Sequence, residues 1–464
     1  MEGIHLFFSE LASGLQPFES VNDYENFLIR GKAFPKYIDN LILVLKEGID
    51  SGDVLPKIIV EKIIQQLSQN TVGSASSSVF YLPIKKLKLE RKFSTEIIDE
   101  LDEKYLLNIT NKLLPAYRKL HDFMAVEYRS SARKSIGLSQ LPNGKSWYDF
   151  QIEHHTTMPL SAIDIHLMGE REVKQNLQQI EEYKNSLGFD GTLHEFFTYI
   201  KTDSQFFFKN KRDIVPFYQS LKAKLDKKIP LLFNAKTIDN YLIKAIEPYR
   251  EQDAASAHYQ NPAADGSRLG IFYLNTFDIN AQPKYIAETL ILHEAAPGHH
   301  FQIINQLQLS DIPSHRLHSY FTSYDEGWAL YAEGLGKDLG MFDDPMMMIG
   351  HLMESQLRAM RLVVDTGIHA FNWSRQKAIT YMLDNSAMSL AAVEAEVDRY
   401  IALPGQALSY LIGKNVILDL RKKTELKLGK KFNIKSFHHE ILKDGQLPLP
   451  LLKKKIEQYI EANL

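Results

Sequence analysis

Apolar residues recur at three- and four-residue intervals along most of the chain, the spacing of amphipathic helices. Residues 36–49 (KYIDNLILVLKEGI) and 55–67 (LPKIIVEKIIQQL) carry this pattern, and Gly52 between them reads as a helix stop. The segment 94–130 opens on Ser94, a good N-cap, and continues as one or two long helices. The Ser-rich stretch 68–78 reads as a short loop and LPNG at 141–144 as a turn. Further helices are expected at 161–186, 192–202, 213–226, 237–247, 283–308, 315–336, 343–363, 374–400 and 407–428, with two short ones to the end. Residues 256–277 break the pattern: Asn-Pro and Asp-Gly turn signals precede GIFYLNTF, rich in aromatic and β-branched residues, which reads as a hairpin or edge strand. The expected fold is therefore mainly α with a small β-hairpin or edge sheet. It forms one unit over 1–464, with a possible subdivision into 1–250 and 251–464.

Composition narrows the chemistry. A chain of 464 residues buries a large core without needing disulfides or a metal to fold. The 44% hydrophobic and 24% charged fractions are those of an ordinary globular protein. Lys plus Arg number 54 against 57 Asp plus Glu, a net charge of −3, which gives no electrostatic reason to expect nucleic acid. The absence of cysteine excludes thiol catalysis and every Cys-based zinc site, so a metal centre must use carboxylates and the 16 His. No stretch approaches the ~18 apolar residues of a membrane span. As written the protein is expected in the cytoplasm, or as a periplasmic protein or lipoprotein if a leader has been removed.

Chemistry concentrates in ETLILHEAAPGHHFQ, residues 288–302. His293 offers a nitrogen to a metal, and the adjacent Glu294 is suited to take a proton from water in the same cavity. The usual second ligand four residues on is here Pro297, so the standard His-Glu-x-x-His spacing is absent. His300 returns to nearly the same helical face as His293, but an undistorted helix sets the two Cα atoms ~10.5 Å apart. Alternatively a distortion at Pro297-Gly298 absorbs two residues and brings His299 round. His299 is favoured and His300 stays open. A third ligand is expected from SYDEGWALYAEG at 323–334, which supplies Asp325, Glu326 and Glu333. Glu326 is taken as the ligand, with Glu333 behind it or supporting a His.

HEAAPGHHFQ, DEGWALYAEGLG, RLVVDTGIHAFNW and DRYIALPGQALSYLIGK, in this order, resemble blocks of the bacterial domain-of-unknown-function 885 family. FPKYIDNL, IGLSQLPNGKSWYDFQIEHHTT and GSRLGIFYLNTFD extend the resemblance over most of the chain. It implies a mainly helical, zincin-like metallopeptidase fold, similar in outline to helical carboxypeptidases and dipeptidyl carboxypeptidases that use His-Glu-x-Gly-His. In those a Gly precedes the second His, as Gly298 precedes His299 here, which favours His299 by analogy. Members are commonly longer at the N-terminus and often carry a lipoprotein or secretory leader.

The expected activity is cleavage of short peptides. One zinc ion per chain would be held by His293, His299 and Glu326, with Glu294 as general base. His369 and Tyr410, or Tyr400, are candidates to donate hydrogen bonds to an oxyanion, with Asp365 orienting His369. GIFYLNTF is a candidate edge for an extended peptide, with Asn275 contacting its backbone. Arg358, Arg361 and Arg399 are candidates to bind a substrate carboxylate, with Arg399 and Tyr400 carried forward as substrate-binding. Alternatives are a zinc hydrolase of small amides or esters, and an inactive helical binding protein. Oligomeric state is open.

Overall fold

Side-chain caps set where many of the helices begin. The computed structural model describes all residues except 1–3, 72, 235–239, 247–255, 264–265, 267 and 311. Contacts divide the chain into two compact units, Met1–Ile136 and Gly137–Leu464.

In the first unit, Ser20 and Asp23 form a reciprocal capping box that opens α1 (Val21–Ser51), and Gly52 closes it in the left-handed conformation. α2 (Lys57–Thr71) follows. Ser94 accepts from Ile97 N and starts α3 (Thr95–Asn108); the helical path then continues to Ser131 through two π-type stretches, Ile109–Leu113 and Phe123–Tyr128. The apolar faces of these helices enclose an aromatic core in which Phe27 stacks on Tyr105 and Phe80 on Tyr117.

The second unit is built on helices that include α4 (Gly144–Thr156), α5 (Ala162–Ser186), α6 (Ala287–Glu294), α7 (His299–Leu307), α8 (Thr322–Gly334), α9 (Pro345–His369), α10 (Leu390–Ala402) and α11 (Ser409–Leu428). Ser161, Ser374 and Ser389 cap their helices, as does Thr192 with Glu195 before the helix Leu193–Thr202. α8 and α11 touch backbone to backbone: a Cβ on Gly327 would lie 2.6 Å from Gly413 Cα, and one on Gly413 would lie 1.8 Å from Ser323 O. Side chains at either glycine would push the helices apart.

A three-stranded sheet has the order β1 (Tyr241–Ala245), β3 (Gly270–Leu274), β2 (Ala257–Gln260). β3 pairs parallel with β1 and antiparallel with β2. This corrects two expectations. Residues 241–245, expected as helix within 237–247, form a strand, while 237–239 and 247 lie outside the described residues. GIFYL is the central, fully buried strand and not an edge, so its backbone is already paired on both sides and cannot receive a peptide. Likewise 283–308 is not one helix. It breaks between α6 and α7, where Ala295 (ψ −120) and Gly298 (ψ −132) leave helical geometry and the Ala296–Pro297 peptide is cis.

Candidate metal centre

The break between α6 and α7 assembles the site. α6 ends on His293 and Glu294, the chain leaves helical geometry through Ala295–Gly298, and His299 opens α7. Gly298 is required there, since a Cβ would lie 1.9 Å from His293 O and 2.4 Å from Leu292 O. Trp328 of α8 donates from Nε1 to Pro297 O at 2.8 Å and ties the turn to the helix that carries the carboxylates.

The result is a buried cluster. The imidazoles of His293 and His299 stand perpendicular with centroids 4.8 Å apart. Their Nε2 atoms each lie 3.5 Å from Glu326 Oε2. One ligand atom from each of the three residues falls within 4.8 Å of the others. The second nitrogen of each ring faces another carboxylate: His293 Nδ1 lies 2.8 Å from Glu333 Oε1 and His299 Nδ1 lies 3.3 Å from Asp325 Oδ2. Glu333 behind His293 fixes its Nδ1–H as donor, Asp325 stands beside His299 Nδ1 as an ion-pair partner without a hydrogen bond, and both Nε2 atoms face Glu326.

These residues fit a metal ion. Glu326 Oε2 is buried with no hydrogen-bond partner, a costly state for a carboxylate oxygen. Tetrahedral zinc with bonds of about 2.0–2.1 Å sets neighbouring ligand atoms about 3.4 Å apart. The two His–Glu separations of 3.5 Å match that spacing closely. Charge points the same way, because Glu294, Asp325, Glu326 and Glu333 surround two imidazoles. Burial disfavours protonated His299, but Asp325, Glu326 and Glu294 outweigh it and hold the ring up to about 10. Burial pushes Asp325 up to about 6 against the pull of His299. Glu326 and Glu333 are held well below the usual range despite burial, Glu326 by both histidines and Glu333 by Arg358 first and then His293.

Glu294 is half-buried, acts electrostatically on His299 and Asp325, and makes no hydrogen bond or ion pair to another described residue. Tyr410, on the first turn of α11, lies within electrostatic reach of Glu326, and its ring carries the Arg361 guanidinium at 4.4 Å. Burial, then Glu326, pushes its hydroxyl up to about 12.

Other expected site residues lie elsewhere or are engaged differently. His300 turns away from the cluster: it is fully buried, its Nδ1 is 2.7 Å from Tyr259 OH, and Tyr241 packs on its ring, so it anchors α7 to the sheet. His369 is no oxyanion donor. Its Nδ1 accepts from Leu138 N at 3.2 Å and its Nε2 faces Tyr400 O at 2.9 Å, which occupies both nitrogens with backbone. Asp365 does not orient it, and instead accepts from Tyr148 OH at 2.6 Å and Gly405 N at 3.0 Å. Tyr400 is fully buried with its hydroxyl 2.5 Å from Glu396 Oε2. Asn275 uses its side-chain oxygen to accept from Phe277 N in a local turn. Arg358 pairs with Glu354 and stands 3.8 Å from Glu333.

Two groups went unassigned in the sequence. Asp325, a candidate ligand there, instead forms an ion pair with His299, a contact set by which way the ring turns. Tyr320, 60% exposed before α8, lies within electrostatic reach of Asp325, Glu326 and Tyr410.

Residues 1–456 match the family described as bacterial protein of unknown function (DUF885), and the chain belongs to it. The chain is similar over its whole length to a candidate lipoprotein from Colwellia psychrerythraea, at 28% identity and a TM-score of 0.96, covering 80% of that chain. A candidate lipoprotein of unknown function from Shewanella oneidensis shares the fold at 15% identity and a TM-score of 0.63, over 97% of this chain and 81% of the other. No curated protein matches significantly. No helix among the described residues is long and apolar enough to cross a membrane.

Proposed function

We propose that this protein is a zinc-dependent hydrolase of short peptides, with His293, His299 and Glu326 holding the metal. The observation that carries the reading is the convergence of two imidazole nitrogens on one carboxylate oxygen that has no hydrogen-bond partner, 3.5 Å from each. Zinc held by these groups would supply Lewis acidity, polarising a peptide carbonyl and easing loss of a proton from water near neutral pH.

The protein's own groups do the rest. Glu294 accepts the proton of the attacking water and returns it to the leaving amine. Its lack of an ion pair among the described residues supports that role, since a purely structural site has no use for an uncommitted carboxylate at its edge. Tyr410 keeps its proton at neutral pH and donates a hydrogen bond to the developing oxyanion. Glu333 holds the His293 imidazole in the tautomer and orientation the site needs, and Asp325 pairs with His299 electrostatically. Kinship with candidate lipoproteins supports action at the cell envelope over the cytoplasm.

The test is zinc content together with hydrolysis of blocked short peptides. The wild type is expected to carry about one zinc per chain on its three His and carboxylate ligands, with one position left open. Glu294→Gln should keep the metal and lose roughly 10²–10⁴-fold in rate. Wild-type rates in Glu294→Gln, or full zinc retention after replacing both His293 and His299 by Ala, would refute the reading.

A further inference from the structure

A second charge cluster, one turn along α9 from the Arg358 that reaches Glu333, does not balance. We propose that it is a clamp for a carboxylate group of the substrate; the word substrate here rests on the hydrolase reading above.

α9 carries Arg358, whose guanidinium reaches Glu333 behind His293, and Arg361 follows one turn later. Arg361 donates to Glu396 Oε2 through Nε at 3.2 Å and Nη2 at 3.1 Å. Arg399 Nη2 donates to the same oxygen at 3.1 Å, and Tyr400 OH at 2.5 Å. Four donors thus meet one carboxylate oxygen, and two guanidiniums share one carboxylate at hydrogen-bond distance. The other contact of Arg399, Nη1 to Gln406 Oε1 at 2.5 Å, adds no countercharge. Arg361 is 7% exposed, and its Nη1 is buried with no hydrogen-bond partner.

One guanidinium charge is left without a carboxylate at hydrogen-bond distance, and the buried Arg361 Nη1 is left without an acceptor. An arriving carboxylate would repair both deficits at once, supplying the missing charge and two acceptor oxygens that match guanidinium geometry. Location favours substrate as the source. Arg361 covers the ring of Tyr410, and Tyr410 reaches electrostatically to Glu326, so the clamp adjoins the reacting centre. Arg399 is a quarter exposed and gives the ligand access. Tyr400 and Glu396 hold the two guanidiniums in place. In a peptide the carboxylate is either the C-terminus or an acidic side chain, and both have the same chemistry.

Calorimetric binding to zinc-loaded Glu294→Gln protein, which keeps the peptides intact, tests the clamp. The probes are N-acetyl-trialanine as free acid, the same peptide as C-terminal amide, and an amide with Glu at the middle position. At least tenfold tighter binding of the acid than of the plain amide is expected, and the acidic amide shows whether a side chain can substitute for the terminus. Adding Arg399→Gln should abolish the difference, while Arg399→Lys should restore part of it. Equal binding of acid and plain amide, with the acidic amide no tighter, would overturn the proposal. So would undetectable binding of every probe, or a difference that survives both Arg399→Gln and Arg361→Lys. Hydrolysis of the same peptides by the wild type is read separately. Selective binding without cleavage would sink the hydrolase reading and leave the clamp, and equal cleavage of acid and amide would do the reverse.

Discussion

Glu333 Oε1 lies 2.8 Å from His293 Nδ1, and both side chains are almost wholly buried. The same carboxylate accepts from Thr289 Oγ1 at 3.0 Å and lies 3.5 Å from His351 Nδ1, so three groups fix its position. A carboxylate so placed raises the basicity of the opposite ring nitrogen and locks the ring toward Glu326. Glu333→Gln preserves the shape and removes the charge. Zinc affinity, measured by chelator competition, is expected to fall about 10–100-fold. An unchanged affinity would mean that His293 is not a ligand.

The turn at Gly298 makes a sharper prediction, because its cost is steric and local. In Gly298→Ala the new Cβ would meet His293 O at 1.9 Å and Leu292 O at 2.4 Å, and no flexible side chain is there to yield. Strain and overpacking together should destabilise the protein by about 3 kcal/mol or more. Zinc content should drop with it, since the His293 carbonyl cannot move without carrying the imidazole. Gly334→Ala, at the end of α8 where a Cβ meets nothing within 4 Å, is the control. It should be neutral or stabilising by up to about 1 kcal/mol. Equal thermal unfolding of the two variants would refute the account of the turn.

Much of the helical frame was legible because its signals are local. Ser94, Ser161 and Thr192 cap where side-chain chemistry predicts, and Gly52 ends α1. YLIKA misled because five apolar-rich residues suit a helix or a strand equally, and pairing with a strand that begins 25 residues after it ends decides the matter. That pairing also moved GIFYL from edge to centre. At the candidate site, Pro297-Gly298 announced a broken helix, but which histidine it brings round depends on two backbone torsions and on Tyr259, which draws His300 to the sheet. The roles expected of His369 and Tyr400 failed for a related reason. Their residue types suit catalysis, yet their partners, Leu138 N–H and Glu396, are supplied by tertiary packing. Asp325 stood beside Glu326 as a candidate without a role of its own, because nothing in the sequence says which way an imidazole will turn.

Asp365 predicts a pH dependence away from the metal. It is fully buried, and burial pushes its carboxyl up to about 7 against hydrogen bonds from Tyr148 and Gly405. An Asp in an unfolded chain titrates near ~3.9. Between those two values the folded protein holds a proton that the unfolded chain has lost, so stability falls as pH rises and levels off above the folded value. The full change is roughly 4 kcal/mol, at about 1.4 kcal/mol for each pH unit between the two states. Asp365→Asn is neutral throughout and keeps an oxygen for both donors, so it should lack this decline. The difference in melting temperature between variant and wild type should therefore shift in favour of the variant from pH 5 to pH 8. A difference that stays constant across that range would show that Asp365 is ionised in the fold at pH 5 already, with Tyr148, Gly405 and Arg399 outweighing its burial.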